Sequence, residues 1–420
     1  MPWAARRAES GRAEPAARHR HLFDLAGRRR PYRRLAADRP ERHAAREKRR
    51  GSPPAMTSPP FRAEHVGSLL RPPALKAAHA AHRAGTLSAQ GYAEVLEREV
   101  ARAVGMQEEV GLRAVTDGEF RRSSWFGFFF EALEGFGLAP SLFRFRDETG
   151  HEHAWQTSYA TGPIRRRRSI CTEEYLCLRQ HARGLPKVTM PSPSALHFFR
   201  GAQSADPAVY PDLERFWEDV LQVYEAEMAE LVRLGCRYVQ LDEVPLAMLC
   251  DDGIRAQVKA QGADPDALTR RYIDAANRVI AAKGADMTVG MHLCRGNFRS
   301  RWMASGGYAP VAERLFQELA VDAFFLEYDS ARAGDFTPLA HMGRDKTVVL
   351  GLVSSKTPEL EDADALKRRI DQASRFVPLQ RLAISPQCGF ASVAGGNLLS
   401  EDEQRRKLAR VVEVASAIWS

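Results

Sequence analysis

Nowhere in this chain do about 18 apolar residues follow one another, the length a membrane-crossing helix needs. The N-terminus also lacks the apolar core of a secretory signal. Cysteine is scarce: the 420 residues hold six, at 171, 177, 236, 250, 294 and 388, with no regular spacing. That excludes a disulfide framework and favours free or metal-bound thiols. Excess positive charge is missing from most of the chain too. The formal net charge is +8, yet residues 1–55 carry 16 of the 61 Lys and Arg and 6 of the 53 acids, leaving 45 basic against 47 acidic residues after them. A slightly acidic body argues against nucleic acid as a partner. These absences predict a cytoplasmic protein with neither a membrane nor a nucleic-acid partner, and they carry no signal of oligomeric state.

What is present is enough apolar material, 44% of residues, for a large core. Residues 1–55 are rich in Arg, Ala and Pro and end in Gly51-Ser52-Pro53-Pro54, which reads as a disordered basic leader. It is either an arm of some kind or a mis-assigned start, with Met56 as the first residue; its six acids speak against a transit peptide. The remainder, 56–420, reads as one domain. Eight strand-like runs, at 61–66, 113–117, 187–190, 237–241, 287–292, 323–327, 347–353 and 382–385, are separated by segments long enough for helices. The spacing predicts an α/β protein, a single (β/α)8 TIM barrel. Tyr92, Val95, Leu96 and Val100 give one helical stripe, and Phe216, Val220, Val223 and Tyr224 another. Two connections are longer than a simple unit needs. The one after Arg71 predicts a helical hairpin. The other, a long insertion after the second strand from about 136 to 185, mixes aromatics, His151, His153 and Arg165-Arg166-Arg167-Arg168, and suits a lid or binding loop.

The chemistry gathers where the strands stop. In a strand, residues two apart face the same way, so His292 and Cys294 converge. Glu327 closes the run 323–327, and Cys388 follows 382–385. One nitrogen, two sulfurs and one oxygen make a donor set that suits zinc. Each residue alone is more often a packed side chain than a ligand; the set gains weight because all four stand at the strand edge where barrel enzymes place their chemistry.

Val66-Gly67-Ser68, Asp117-Gly118-Glu119-Phe120, Val239-Gln240-Leu241-Asp242-Glu243, His292-x-Cys294, Leu326-Glu327 and Ser385-Pro386-Gln387-Cys388-Gly389-Phe390 together resemble the cobalamin-independent methionine synthase family. The resemblance runs over about 61–415 and matches the catalytic C-terminal barrel, so the nearest likeness is the short, single-barrel branch. It implies zinc on His292, Cys294, Glu327 and Cys388, homocysteine as thiol acceptor, a methyl-folate as donor, and methionine as product. Glu119 and Asp242 are then the candidate catalytic and substrate-binding carboxylates, pairing with the acceptor's ammonium. Val66, Gly67 and Ser68 would offer N–H groups and a hydroxyl to its carboxylate. Glu243, facing the other way in its strand, is expected to form a supporting ion pair.

The sequence departs from the family where the donor should bind. A methyl-folate needs an acid to protonate its leaving nitrogen, and the family's His at the end of the seventh strand is Val353 here, within Gly351-Leu352-Val353-Ser354-Ser355-Lys356. Gln387 stands in place of the family's Asp. This altered half keeps a second reading open: a related short-form zinc transferase that takes its alkyl group from a corrinoid protein or an epoxide, or uses another thiol.

Overall fold

The computed structural model describes residues 59–147 and 149–419, so the expectation about residues 1–55 lies outside the described residues. Helices α1 (Pro73–Arg83) and α2 (Ala89–Glu109) form the pair expected after Arg71, and β1 (Ala114–Val115) follows. An excursion comes next: α3 (Gly127–Glu131), β2 (Leu133–Pro140), β3 (Phe145–Arg146), β4 (Glu152–His153), β5 (Gln156–Arg166) and α4 (Thr172–His181). The chain returns through β6 (Leu185–Pro186) and β7 (Val188–Pro191). Strands then alternate with helices through α5 (Leu213–Arg233), β8 (Tyr238–Glu243), α6 (Pro245–Met248), α7 (Asp252–Ala260), α8 (Pro265–Ala281) and β9 (Thr288–Leu293). The last elements are α9 (Ala309–Glu318), β10 (Ala323–Glu327), β11 (Thr347–Val353), α10 (Ala363–Ser374), β12 (Leu382–Pro386) and α11 (Glu401–Trp419).

The helices begin where side chains can satisfy their first N–H groups. Ser88 caps α2, its hydroxyl accepting from Gly91 N–H at 3.0 Å, and Asp212 caps α5 by accepting from Glu214 N–H at 2.9 Å. Each buries one stripe. On α5 it is Phe216, Trp217, Val220, Val223, Tyr224, Met228 and Leu231, and fully burying each such side chain contributes about 1.5–3 kcal/mol.

Strands β7 to β12 form one parallel sheet in chain order, and β1 pairs in parallel with β6. At one edge Ala63 bridges Ile384 of β12: Glu64 N–H donates to Ile384 O at 2.9 Å, and Ile384 N–H to Arg62 O at 2.9 Å. At the other, Lys187 N–H donates to Val115 O at 2.8 Å. All eight runs read from the sequence are thus held to a neighbour, although the continuous ladder spans six strands. The run expected over 61–66 makes only one bridge because side chains replace the ladder between it and β1. His65 Nε2 lies 3.2 Å from Ala114 O, and the Thr116 hydroxyl donates to Gly67 O at 2.6 Å.

One apolar layer draws on nearly every run: Phe61, Ala114, Leu185, Tyr238, Ala323, Phe325, Val349 and Ala383. Buried among polar neighbours, the Lys187 ammonium donates to Glu64 Oε2 at 3.4 Å and Gln240 Oε1 at 3.2 Å. The parallel register sets Asp242 beside His292 and Glu327 beside Gly351, which brings the strand ends to one edge.

The excursion after β1 is ordered and starts earlier than the sequence suggests, at Gly127. β2 and β5 form an antiparallel pair, and β3 with β4 a smaller one. The Arg165–Arg168 run is a surface stretch of β5 and its end, save that Arg166 pairs with the buried Glu227. Among the described residues no helix is long and apolar enough to cross a membrane.

Candidate active site and metal centre

Donor atoms of His292, Cys294 and Cys388, all buried, lie within 4.8 Å of one another. β9 and the residue just after it deliver the first two, and the turn after β12 the third. The Cys388 and Cys294 sulfurs are 3.9 Å apart, and all six cysteines are free thiols. His292 is fixed from both ring nitrogens: Nδ1 lies 3.2 Å from Asp242 Oδ1, and Nε2 3.2 Å from Gln387 O. Burial works against a charged imidazole, but the Asp242 carboxylate and the Cys388 sulfur beside it push His292 up to about 10. Cys388 is held well below the usual thiol range by the hydrogen bond with Cys294 and by His292, and Cys294 is correspondingly pushed up. Thiol and imidazole ligands must be deprotonated to bind a metal, so a cation of the right softness at these closely packed donors would displace their protons.

Glu327 does not join that group. Its Oε2 accepts the Arg295 N–H at 2.7 Å, while Oε1, buried and without a hydrogen-bond partner, faces Lys356 Nζ at 3.7 Å. Burial would raise this carboxyl, but Lys356 and Arg295 hold it below its ordinary range. The sequence placed Glu327 at the right strand end; the structure turns its carboxylate to the cations.

Glu119 stands in the left-handed region with φ of 59°, a conformation that costs a non-glycine residue about 1–3 kcal/mol unless its surroundings enforce it. They do. Asp117 Oδ1 accepts Glu119 N–H at 2.8 Å, and Arg71 Nη2 donates to Glu119 O at 2.7 Å and to Arg122 O at 2.9 Å. Thr189 donates to Glu119 Oε1 at 2.7 Å, Arg122 Nη1 lies 3.4 Å from the same oxygen, and Oε2 is buried without a partner. Burial, and secondarily the Asp242 charge, lift this carboxyl to about 7 against the pull of Arg122. Gly67 explains itself here: at φ of 144°, a Cβ would meet Thr189 Cγ2 at 2.8 Å and Glu119 Oε1 at 3.1 Å.

The other expected site residues already hold protein partners. Asp242, expected at the acceptor's ammonium, has Oδ1 occupied by His292 and by Gln240 Nε2 at 2.8 Å. Glu243 forms no ion pair: it accepts from the Ser192 and Ser194 hydroxyls and from Leu246 N–H at 2.9 Å, because β8 aims it into a buried polar shell without cations. Val66 and Gly67 are engaged through their carbonyls, by Gln240 Nε2 at 2.7 Å and Thr116 at 2.6 Å. Ser68 Oγ accepts Ala391 N–H at 3.3 Å, and a Cβ on Gly389 would fall 1.9 Å from it, so this hydroxyl packs on the Cys388 turn. Sequence reading missed Arg71, Arg122, Glu174 and Lys356. Arg122 is clasped by Glu174, with Nε to Oε1 at 2.9 Å, and donates to Thr189 Oγ1 at 2.8 Å. The only hint was two arginines directly after the Asp-Gly-Glu-Phe motif.

A family model, the cobalamin-independent synthase catalytic domain, matches residues 61–165 and 206–417. The chain belongs to this methionine synthase-like methyltransferase family. It is 41% identical over 366 residues to the uncharacterized protein YxjH of Bacillus subtilis (strain 168), covering 86% of this chain and 95% of that one. Among solved structures it resembles a Listeria monocytogenes protein assigned as a vitamin-B12 independent methionine synthase, with 35% identity, a TM-score of 0.66, and coverage of 87% of this chain and all of the other. A B12-independent methionine synthase from Shewanella sp. W3-18-1, in complex with selenomethionine, shares the α/β fold at 19% identity and a TM-score of 0.64, over 85% and 97% of the two chains.

Proposed function

We propose that this chain is a zinc-dependent methyltransferase that binds homocysteine as its thiolate and methylates it to methionine, with 5-methyltetrahydrofolate, as its polyglutamate, the donor. Its strands are read as a (β/α)8 barrel, a reading supported by the apolar layer shared among the runs and by the links at both edges of the six-stranded sheet. The observation that carries the function is the convergence of His292, Cys294 and Cys388 within 4.8 Å, beside a buried carboxylate with an unpartnered oxygen.

The donor set fits zinc by its chemistry: one imidazole and two thiols, with the Glu327 carboxylate, whose Oε1 is buried without a hydrogen-bond partner, as the candidate fourth donor. When bound, zinc would keep the acceptor's sulfur deprotonated at neutral pH, where a free thiol near 8.5 is only a few per cent thiolate. The chain's own residues do the rest. Glu119 Oε2 is the acceptor for the substrate ammonium, and the arrival of that cation favours the charged carboxylate that burial disfavours. Asp242 orients His292 through Nδ1, fixing which ring nitrogen faces the sulfurs. Backbone N–H groups at Val66, Gly67 and Ser68 face the substrate carboxylate, with Gly67 giving the close approach.

A second reading rests on one residue. Val353 stands where the family His would protonate a folate nitrogen, which favours a donor whose leaving group needs no acid, such as a corrinoid protein. The test is a panel: zinc-loaded full-length chain, homocysteine, and methyl-folate or methylated corrinoid in parallel, following methionine. Formation from methyl-folate is expected. Methionine from the corrinoid alone selects the second reading, and none from any donor refutes both.

A further inference from the structure

Lys356, shortly after the end of β11, is a buried cation beside Glu327. It is 6% exposed, and its ammonium finds no hydrogen-bond partner. Its nearest anion is Glu327 Oε1 at 3.7 Å, itself unpartnered. Its backbone, by contrast, is pinned: Ser300 Oγ donates to Lys356 O at 2.8 Å, and Asn397 Nδ2 to Ser355 O at 2.7 Å. The other cation near Glu327 is fixed. Arg295 Nε donates to Gly306 O at 2.8 Å, and its guanidinium lies 4.4 Å from the Tyr308 ring centre. A lysine on a four-carbon stem, with Asp329 and the two sulfurs as the other groups acting on its charge, is the mobile cation here.

We propose that Lys356 is a positioning residue that holds the Glu327 carboxylate away from the three-donor group, so that a substrate thiol takes the fourth place. This rests on the zinc thiol-transfer reading above. Two thiolates and a carboxylate around a divalent cation leave a net charge of −1. An incoming thiolate makes it −2 in a buried site, and uncompensated buried charge costs several kcal/mol. With a metal held by the three donors, the Glu327 carboxylate would give up its place to the substrate sulfur, the thiol's proton would leave to solvent, and Lys356 would keep its own proton throughout. Released, Glu327 Oε2 is held by the Arg295 N–H and Oε1 faces the Lys356 ammonium at 3.7 Å, which is the arrangement seen.

The test uses the full chain loaded with cobalt(II) in place of zinc, read by visible absorption while homocysteine is added, with metal affinity measured by chelator competition. Lys356→Met should weaken homocysteine binding by about tenfold or more, while zinc is held as tightly as in wild type or more so. Lys356→Arg should restore thiol binding to within a few-fold. In a Glu327→Gln background, Lys356→Met should have little further effect. Thiol affinity unchanged in Lys356→Met, or falling in step with zinc affinity, overturns the proposal. If Lys356→Met does not fold, Lys356→Gln carries the same comparison. A wild-type cobalt protein whose spectrum ignores homocysteine refutes the thiol reading as well, whereas a responsive wild type with an equally responsive Lys356→Met refutes only the role of Lys356.

Discussion

The rim has two halves that differ in how completely their polar groups are satisfied. Around Glu119, Asp242 and His292, most buried oxygens and nitrogens have a partner, Glu119 Oε2, Arg71 Nε and His65 Nδ1 excepted, and a left-handed residue is clamped by Arg71 and Asp117. Around the ends of β10 to β12, buried atoms go unpaired: Glu327 Oε1, Lys356 Nζ, Asn297 Oδ1, Tyr328 OH and Gln387 Oε1. An unpaired buried polar atom costs about 1–3 kcal/mol. On the proposed function, the first half would be pre-formed around a small acceptor, and the second would keep its groups open for a donor that supplies the missing contacts. The same second half departs from the family motifs, at Val353 and Gln387.

The largest expected effect is on the metal. Cys294→Ser or Cys388→Ser replaces a soft ligand with a hydroxyl that stays protonated, and should leave the purified protein nearly free of zinc by elemental analysis and without activity. Retained zinc with full activity would sever the pre-formed half from catalysis. Next comes Glu119→Gln, expected to weaken homocysteine binding by on the order of a hundredfold by removing the ammonium's buried counter-charge. Glu119 also sets a pH signature. With the folded carboxyl near 7, the neutral form dominates below that value, so acceptor affinity should fall by up to about tenfold per unit as pH drops beneath it. The stability effect has the opposite sense. A carboxyl raised in the folded state favours the protonated fold, so this contribution is present below the unfolded value and is lost as pH rises through about 7. Glu119→Gln should therefore stabilise the unliganded protein at alkaline pH while weakening its grip on substrate, which thermal melts across pH would reveal.

Asp242→Asn separates two roles. If the carboxylate serves His292, as its 3.2 Å contact indicates, zinc affinity should drop about ten- to a hundredfold. A loss confined to homocysteine affinity would return Asp242 to the substrate's ammonium and make the acceptor half the less finished of the two.

How much of this was legible follows the same division. β7 to β12 were readable because parallel strands buried on both faces are apolar throughout, and the cysteine and histidine positions followed from where those runs stop. The excursion was not. β2 reads Leu-Glu-Gly-Phe-Gly-Leu-Ala-Pro and β5 contains Gly162 and Pro163, residues that break strand patterns, and both are half exposed, so local preference says turn while cross-strand pairing says strand. Arg71, Arg122 and Lys356 were invisible for another reason: each has partners far off in the chain, as Arg71 with Arg122, Arg122 with Glu174 and Lys356 with Glu327, and a single charged residue has no period to betray it. Glu327 was placed on the right strand end but not in its orientation, because register fixes the backbone whereas the cations choose where a carboxylate turns.

The smallest expected effect tests whether the excursion belongs to the open half. Its aromatic residues pack on one another, Trp155 against Phe199 at 4.7 Å and against Phe145 at 5.6 Å between ring centres, and Phe145 meets Phe298 at 5.0 Å. Arg146 then exchanges backbone hydrogen bonds with Trp302, N–H to O at 2.7 and 3.1 Å. The loop so held carries Ser300, whose hydroxyl anchors Lys356. Trp155→Ala should cost roughly 2–3 kcal/mol of stability, since the ring is only partly buried. Through the loop it should raise the donor's KM a few-fold and leave the homocysteine dissociation constant as it was, because no contact of Trp155 reaches Glu119, Asp242 or His292. An equal change in both constants would mean that the excursion braces the whole rim, and the two halves would then be one mechanical unit with two chemistries.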